Sequence, residues 1–228
     1  MSKRLKNEDL EQDLLIEYTS RFVHFYNQNK AAVIGGGIGL VLAIGLIIGY
    51  GIYSSQQETQ AQDLLGIAEQ SLMEGDYETA LYGNEEEFTL GFEQIADNYS
   101  NTEAGNLAKY YAAISEYELG NFDSALTYIE SFNKPKGILG VSPATFHATL
   151  LLELEQYEEA AQMFERAAEW DENSATTPFN LFDAAQAYQA AGLTAEANRV
   201  LDQIMEDYPN SQILDRAQRL KGTLAING

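Results

Sequence analysis

LGNFDSAL, residues 119–126, reads as the end of one helix, a tight turn, and the start of a second helix with an alanine in its first turn. Three other stretches repeat the pattern: EGDYETAL at 74–81, LEQYEEAA at 154–161 and AGLTAEAN at 191–198. Gly75, Gly120 and Gly192 stand where a residue in left-handed geometry closes the first helix, which glycine does without a Cβ penalty. Ala80, Ala125, Ala160 and Ala197 then fall where the two helices of a hairpin cross, a place with room only for a small side chain. Ala68, Ala113, Ala148 and Ala185, on the first helices, complete the opposing faces.

Large apolar residues follow each crossing at helical spacing: Ile129 with Phe132, Phe164 with Ala167, Leu201 with Ile204. Prolines are few, and Ala, Leu, Glu, Gln and Tyr dominate, so the expected class is all-α. Helices are expected at about 56–74, 88–98, 103–119, 122–132, 143–154, 156–170, 178–191 and 194–207. Ser142 with Pro143 and Thr177 with Pro178 supply an N-cap followed by proline at the first helical position. After Pro209, SQILDRAQRLKGTLAI is an amphipathic helix suited to cover the open end of a stack, as a terminal repeat requires.

The intervals between crossing alanines are 45, 35 and 37 residues. With Tyr77, Phe122 and Tyr157 beside the turns and Pro209 near the end, the pattern resembles the tetratricopeptide repeat, a helix-turn-helix unit of about 34 residues. Thr194 replaces the aromatic in the last repeat and Glu155 replaces the turn glycine in the third. The first repeat carries an insertion around LYGNEEEFTLGF, 81–92, read as a loop or short extension. Its Glu85, Glu86 and Glu87 lack the alternating acidic spacing of a calcium loop. The implied fold is an α-solenoid of about four helix pairs, repeats at about 61–101, 106–139, 141–175 and 178–211, and a cap at 211–225.

Ahead of these repeats, Ala31 to Tyr53 runs for 23 residues without a charged side chain. As a helix it reaches roughly 35 Å, enough for a bilayer core of about 30 Å. A cleaved signal peptide has a shorter apolar core and a small-residue cleavage site, so the expectation is an uncleaved transmembrane helix at 31–53. Lys3, Arg4, Lys6, Arg21 and Lys30 precede it, and the next basic residue is Lys109. The positive-inside rule places residues 1–30, with an amphipathic helix, in the cytoplasm and 54–228 outside it. Leu10, Leu14, Leu15, Tyr18, Phe22, Phe25 and Tyr26 give that tail its helical periodicity, and Tyr50 and Tyr53 fall at headgroup level on the far side.

The net charge of −22 belongs to residues 54–228; the first 53 carry five basic and five acidic side chains. From Glu58 to Glu103 there are twelve carboxylates and no basic residue. Such a surface repels phosphate backbones, so no nucleic-acid function is expected, and basic partners or divalent cations are favoured. With no cysteine and only His24 and His147, neither a catalytic triad nor a metal-ligand spacing assembles, so no enzyme activity, metal or cofactor is expected. GGGIG at 35–39 lacks the Lys-Ser/Thr of a phosphate loop.

A closer resemblance lies in the order of parts and in a shared signature. The signature comprises Ala80, Leu81, Gly83, Gly91, Phe92, Ile95, Tyr99, Thr102, Ala104 to Ala108, Tyr110 and Tyr111, then Thr177–Pro178 and Tyr208–Pro209. The chain is similar to bacterial membrane-anchored tetratricopeptide proteins related to the ancillary subunit of the Sec translocon. That implies an inner-membrane protein facing the periplasm, with translocon subunits or exported chains as partners. The first helix of each pair lines a concave groove in such proteins, which implies a binding face at Tyr110, Ile114, Tyr117, Thr145, Thr149, Leu152, Phe182, Gln186 and Gln189. The rival expectation is a homo-oligomeric scaffold: Gly35 with Gly39 and Gly45 with Gly49 have the small-xxx-small spacing of a close membrane helix contact.

Overall fold

The computed structural model describes residues 7–227, with side chains from 16 to 226. Lys3, Arg4 and Lys6, and the side chains of Leu10, Leu14 and Leu15, lie outside the described residues. The chain divides into two compact units, 1–56 and 57–228. The first contains α1 (Asn7–Gln28) and the beginning of α2 (Lys30–Glu74). The expected helices at 31–53 and 56–74 are thus one continuous helix. Among the described residues α2 alone is long and apolar enough to cross a membrane, and its apolar window is not buried within the chain.

The second unit is an α-solenoid. Its elements are the end of α2, then α3 (Tyr77–Tyr82), β1 (Gly83–Asn84), β2 (Thr89–Leu90), α4 (Phe92–Asn98), α5 (Glu103–Glu118) and α6 (Phe122–Ser131). There follow α7 (Val141–Glu153), α8 (Tyr157–Trp170), α9 (Thr177–Ala190), α10 (Thr194–Asp207) and α11 (Leu214–Asn227). Four hairpins are formed by α2 with α3–α4, α5 with α6, α7 with α8, and α9 with α10, and α11 caps the last.

All four turns have one geometry. Gly75 N–H donates to the Leu72 carbonyl at 3.1 Å and Asp76 N–H to Ser71 at 3.0 Å, the paired bonds that close a helix around a left-handed residue. The pair recurs with Gly120 to Tyr117 and Asn121 to Glu116, with Glu155 to Leu152 and Gln156 to Leu151, and with Gly192 to Gln189 and Leu193 to Tyr188. The left-handed φ values are 80°, 81°, 57° and 76° at Gly75, Gly120, Glu155 and Gly192. Glu155 therefore takes a glycine's conformation with a Cβ in place. One turn later each crossing alanine donates to the residue that opens the second helix: Ala80 to Asp76, Ala125 to Asn121, Ala160 to Gln156, Ala197 to Leu193. All four crossing alanines are 0% exposed, and Ala68, Ala113, Ala148 and Ala185 are buried opposite them.

At the insertion, at α7 and at α9 the helix start differs from expectation. The insertion is an antiparallel hairpin, Gly83 opposite Leu90 and Asn84 opposite Thr89, so the helix expected from residue 88 begins at Phe92. Its turn is held by the Asn84 side chain, which accepts from Glu86 N–H at 2.9 Å and Glu87 N–H at 3.3 Å. A Cβ on Gly91 would collide with the Leu81 carbonyl and the Gly83 nitrogen, which is why the strands can close only on glycine. Further on, α7 starts at Val141 after Gly140, so Ser142 is not its cap, and α9 starts at Thr177 with Thr176 before it. Thr177 serves instead as a buried latch, its hydroxyl donating to the Ala168 carbonyl at 3.1 Å and accepting from Asn173 N–H at 2.9 Å.

The first and second hairpins are tied by a carboxylate. Glu58 on α2 accepts from Glu103 N–H at 2.7 Å and Ala104 N–H at 3.1 Å, filling the positive end of α5 with an anion. Thr102 caps the same helix by accepting from Gly105 N–H at 2.9 Å.

Because left-handed backbone penalises a Cβ, Glu155→Gly is expected to raise stability by about 1 kcal/mol, and Gly120→Ala to lower it by about 1 kcal/mol. Urea unfolding followed by circular dichroism checks both; a fall on Glu155→Gly contradicts the turn assignment.

Candidate functional site

The side chains expected to line a groove come from the first helices of the second, third and fourth hairpins. On α5, the Tyr110 ring stacks on Phe132 at 5.3 Å between centroids and meets Phe146 edge-on at 6.1 Å. Tyr117, two turns along, meets Phe122 at 5.4 Å and the same Phe146 at 5.5 Å. Phe146 on α7 is therefore wedged between two tyrosines of the preceding repeat, an arrangement that welds hairpins two and three. Ile114 is half-buried between them in sequence, and the Tyr117 hydroxyl reaches the Glu153 carboxylate at 3.4 Å. Burial, with Glu153 second, raises the Tyr117 pKa.

On α7, the Thr145 hydroxyl lies 3.0 Å from the Val141 carbonyl and 2.8 Å from the side-chain amide of the buried Asn180 on α9. The hydroxyl has one proton to share between the Val141 carbonyl and the Asn180 side-chain oxygen, and through the second it joins hairpin three to hairpin four. Thr149 donates to the Thr145 carbonyl at 3.1 Å, and Leu152 is half-buried against the main core cluster. On α9 the three expected residues divide. Gln186 and Gln189 are exposed, whereas Phe182 is 4% exposed with the Arg216 guanidinium of α11 4.6 Å from its ring centre. Phe182 is thus core rather than open surface, because the cap helix roofs it. Arg216 also faces Asp183, whose carboxyl pKa is raised by burial and held back by that guanidinium.

The eight side chains left at least partly accessible run from Tyr110 to Gln189 at equivalent positions of three successive repeats. They comprise two aromatic rings, two aliphatic side chains, two hydroxyls bound to backbone and two amides. Such a face offers apolar contact and amide hydrogen bonds; the surrounding carboxylates, Glu118 and Glu153 among them, make its field negative. Among the described residues no group of three or more His, Asp or Glu side chains could hold a metal ion. Two contributors were not visible in the sequence. Phe146 carries no motif beyond one aromatic among many, and Arg216 reaches Phe182 only through the packing of α11.

His147, on α7, is half-buried, and its buried Nδ1 has no hydrogen-bond partner among the described residues. Its Nε2 is 3.9 Å from the largely exposed Glu130. Desolvation, then the nearby Lys134 and Arg166 charges, lower its pKa from 6.5 to about 4. The folded protein therefore binds this proton less readily than the unfolded chain. The contribution of His147 to stability is complete above pH 6.5 and is lost as pH falls toward 4, by at most about 1.4 kcal/mol per pH unit. In urea unfolding across that range, His147→Gln should lose less stability on acidification than the parent; parallel curves would refute the assignment.

Comparisons with known proteins agree with this architecture. A family model described as tetratricopeptide repeat-like domain matches residues 23–175, and a second, tetratricopeptide repeat, matches 151–221. No curated protein is significantly similar to the chain. Among solved structures, a kinesin light chain protein of Podosopora anserina with nearly identical TPR-like repeats superposes with a TM-score of 0.54. It is 15% identical and the match covers 73% of this chain and 88% of that one. A second crystal structure of those repeats gives 0.53, again at 15% identity, covering 73% and 89%. At this identity the likeness is one of fold.

Proposed function

The chain belongs to the tetratricopeptide repeat-like domain family, and from that premise we propose that it is a membrane-anchored module that holds other proteins at a bacterial inner membrane. The repeats imply protein partners in general. In this reading residues 31–53 cross the membrane, 1–30 lie in the cytoplasm and 54–228 in the periplasm, and the partners are translocon subunits or newly exported chains. Support for the anchor is the long apolar helix, and support for its direction is the run of basic residues before it with none again until Lys109.

The observation that carries the reading is the row of first-helix side chains on α5, α7 and α9. Tyr110, Ile114, Tyr117, Thr145, Thr149 and Leu152 are half-buried and Gln186 and Gln189 exposed, so apolar and amide surface is offered along one repeat direction. An extended or helical segment with apolar anchors and some positive charge matches such a face with its acidic rim. Photocrosslinking in cells from Tyr117 and Leu152, with mass spectrometry of the trapped species, is expected to recover translocon subunits or exported chains. Absence of any adduct at both positions would mean that these side chains serve packing alone.

A specific observation favours a second reading, self-association through the membrane helix. Gly35 with Gly39 and Gly45 with Gly49 have small-xxx-small spacing, and, as at every glycine of the span, a Cβ built on them meets nothing within 4 Å. Replacing Gly45 and Gly49 together by isoleucine is expected to abolish the signal in a membrane two-hybrid assay, and an unchanged signal removes the scaffold reading.

A further inference from the structure

A second surface lies outside the first-helix face. The segment that follows α6, NKPKGILG at 133–140, is pinned from two sides. The Asn106 side chain accepts from Asn133 N–H at 2.8 Å and donates to the Asn133 carbonyl at 3.0 Å, as a paired strand would. From α8, the Trp170 indole N–H donates to the Pro135 carbonyl at 2.9 Å, and Gly140 is packed so closely there that a Cβ would strike both groups. The segment borders an open cleft of about 980 Å³.

Charge in this cleft is inverted relative to the domain. Residues 57–228 have eight basic side chains against thirty acidic ones, and three of the eight, Lys109, Lys134 and Lys136, line this cleft. Two carboxylates share it, and that of Glu58 is already committed to the backbone at the start of α5. Lys109 donates to the Ser131 carbonyl at 3.4 Å and Lys134 to the Ile129 carbonyl at 3.0 Å, at the end of α6 where cations are favoured. An ammonium has three donors, so each keeps two for another acceptor. Burial lowers the Lys134 pKa against an opposing effect of Glu130, so its charge gains from an anion brought close. Beside these cations Leu139 stands 74% exposed, an apolar ledge on the same cleft.

We propose that this cleft binds an extended acidic segment of a partner polypeptide, its carboxylates on Lys109, Lys134 and Lys136 and an apolar side chain on Leu139. The cations supply the complementary charge, and helix α5 and the pinned backbone of 133–140 present Lys109 and Lys134 with Lys136 without prior ordering, which lowers the entropic cost of capture. A free phosphate would use the cations but not the ledge, and the backbone N–H groups at the start of α5 that could bind it are taken by Glu58.

The test uses the full-length chain in phosphatidylcholine nanodiscs and a fluorescein-labelled octapeptide alternating leucine and glutamate, read by anisotropy. Binding is expected, weakening as salt rises, with no binding of the matched leucine–lysine peptide. The double variant Lys136→Glu, Leu139→Ser changes two exposed side chains that cap no helix, and is expected to weaken binding about tenfold, or 1.4 kcal/mol. Equal binding by parent and variant, or none at millimolar peptide, overturns the proposal. So does sedimentation showing that the parent self-associates and the variant does not, because the occupant would then be a second copy.

Discussion

Everything in the repeat domain depends on how closely two helices can approach at each turn. One residue must take a left-handed φ so that the helix ends in a single step, and the next helix then returns across the first with room for a methyl group and nothing larger. The four crossing alanines, wholly buried, mark that approach, and the paired backbone bonds at 71–76, 116–121, 151–156 and 188–193 fix its angle. A larger side chain at a crossing would separate the helices and, through them, the face that the next hairpin packs on. Because each repeat is supported mainly by its neighbours, such a fault would be passed along the stack.

This constraint is local, which is why so much of the fold was legible. Glycine and alanine a few residues apart are dictated by sterics that the sequence displays directly, so the hairpins, their number and the capping helix could be read in advance. Glu155 shows the limit of the glycine signal: neighbouring repeats impose the turn even where the residue resists it, with φ of 57°. The hairpin at 83–90 was read as a loop or short extension because two strands of two residues leave no periodicity. The starts of α7 and α9 were placed late because proline was assigned to the first helical position, whereas preceding residues continue the helix and Thr177 is recruited to bind Ala168 and Asn173. The burial of Phe182 was invisible for another reason: it depends on Arg216, contributed by an element thirty-odd residues away, and no sequence pattern carries that contact.

The candidate binding face has a double task. Tyr110 and Tyr117 hold Phe146 between them, and Thr145 meets Asn180, so the side chains that would touch a partner also join one hairpin to the next. Rings that are half-buried lose little further freedom on meeting a ligand, which favours binding by a preformed surface. The same coupling means that substitutions here alter stability and recognition together. Gln186 and Gln189, exposed and without such a task, are the positions where the two effects separate.

The inserted hairpin illustrates why a departure from the repeat need not break it. The second helix of the first pair is cut into α3 and α4, and Phe88 at the tip is 93% exposed with φ of 57°, a conformation that costs a bulky residue energy. Neither fragment has the length of a stable isolated helix. Both persist because each delivers its own part of the buried face: Ala80 and Leu81 from α3, and Phe92, Ile95 and Ala96 from α4, join α2 and α5 residues in one cluster. Gly83 and Gly91 bring the cut ends together where a Cβ on either would clash with backbone, so the interruption leaves the packed surface continuous. What the solenoid requires of its second helix is therefore the position of a few apolar side chains, and an unbroken run of backbone is only the usual way of providing it.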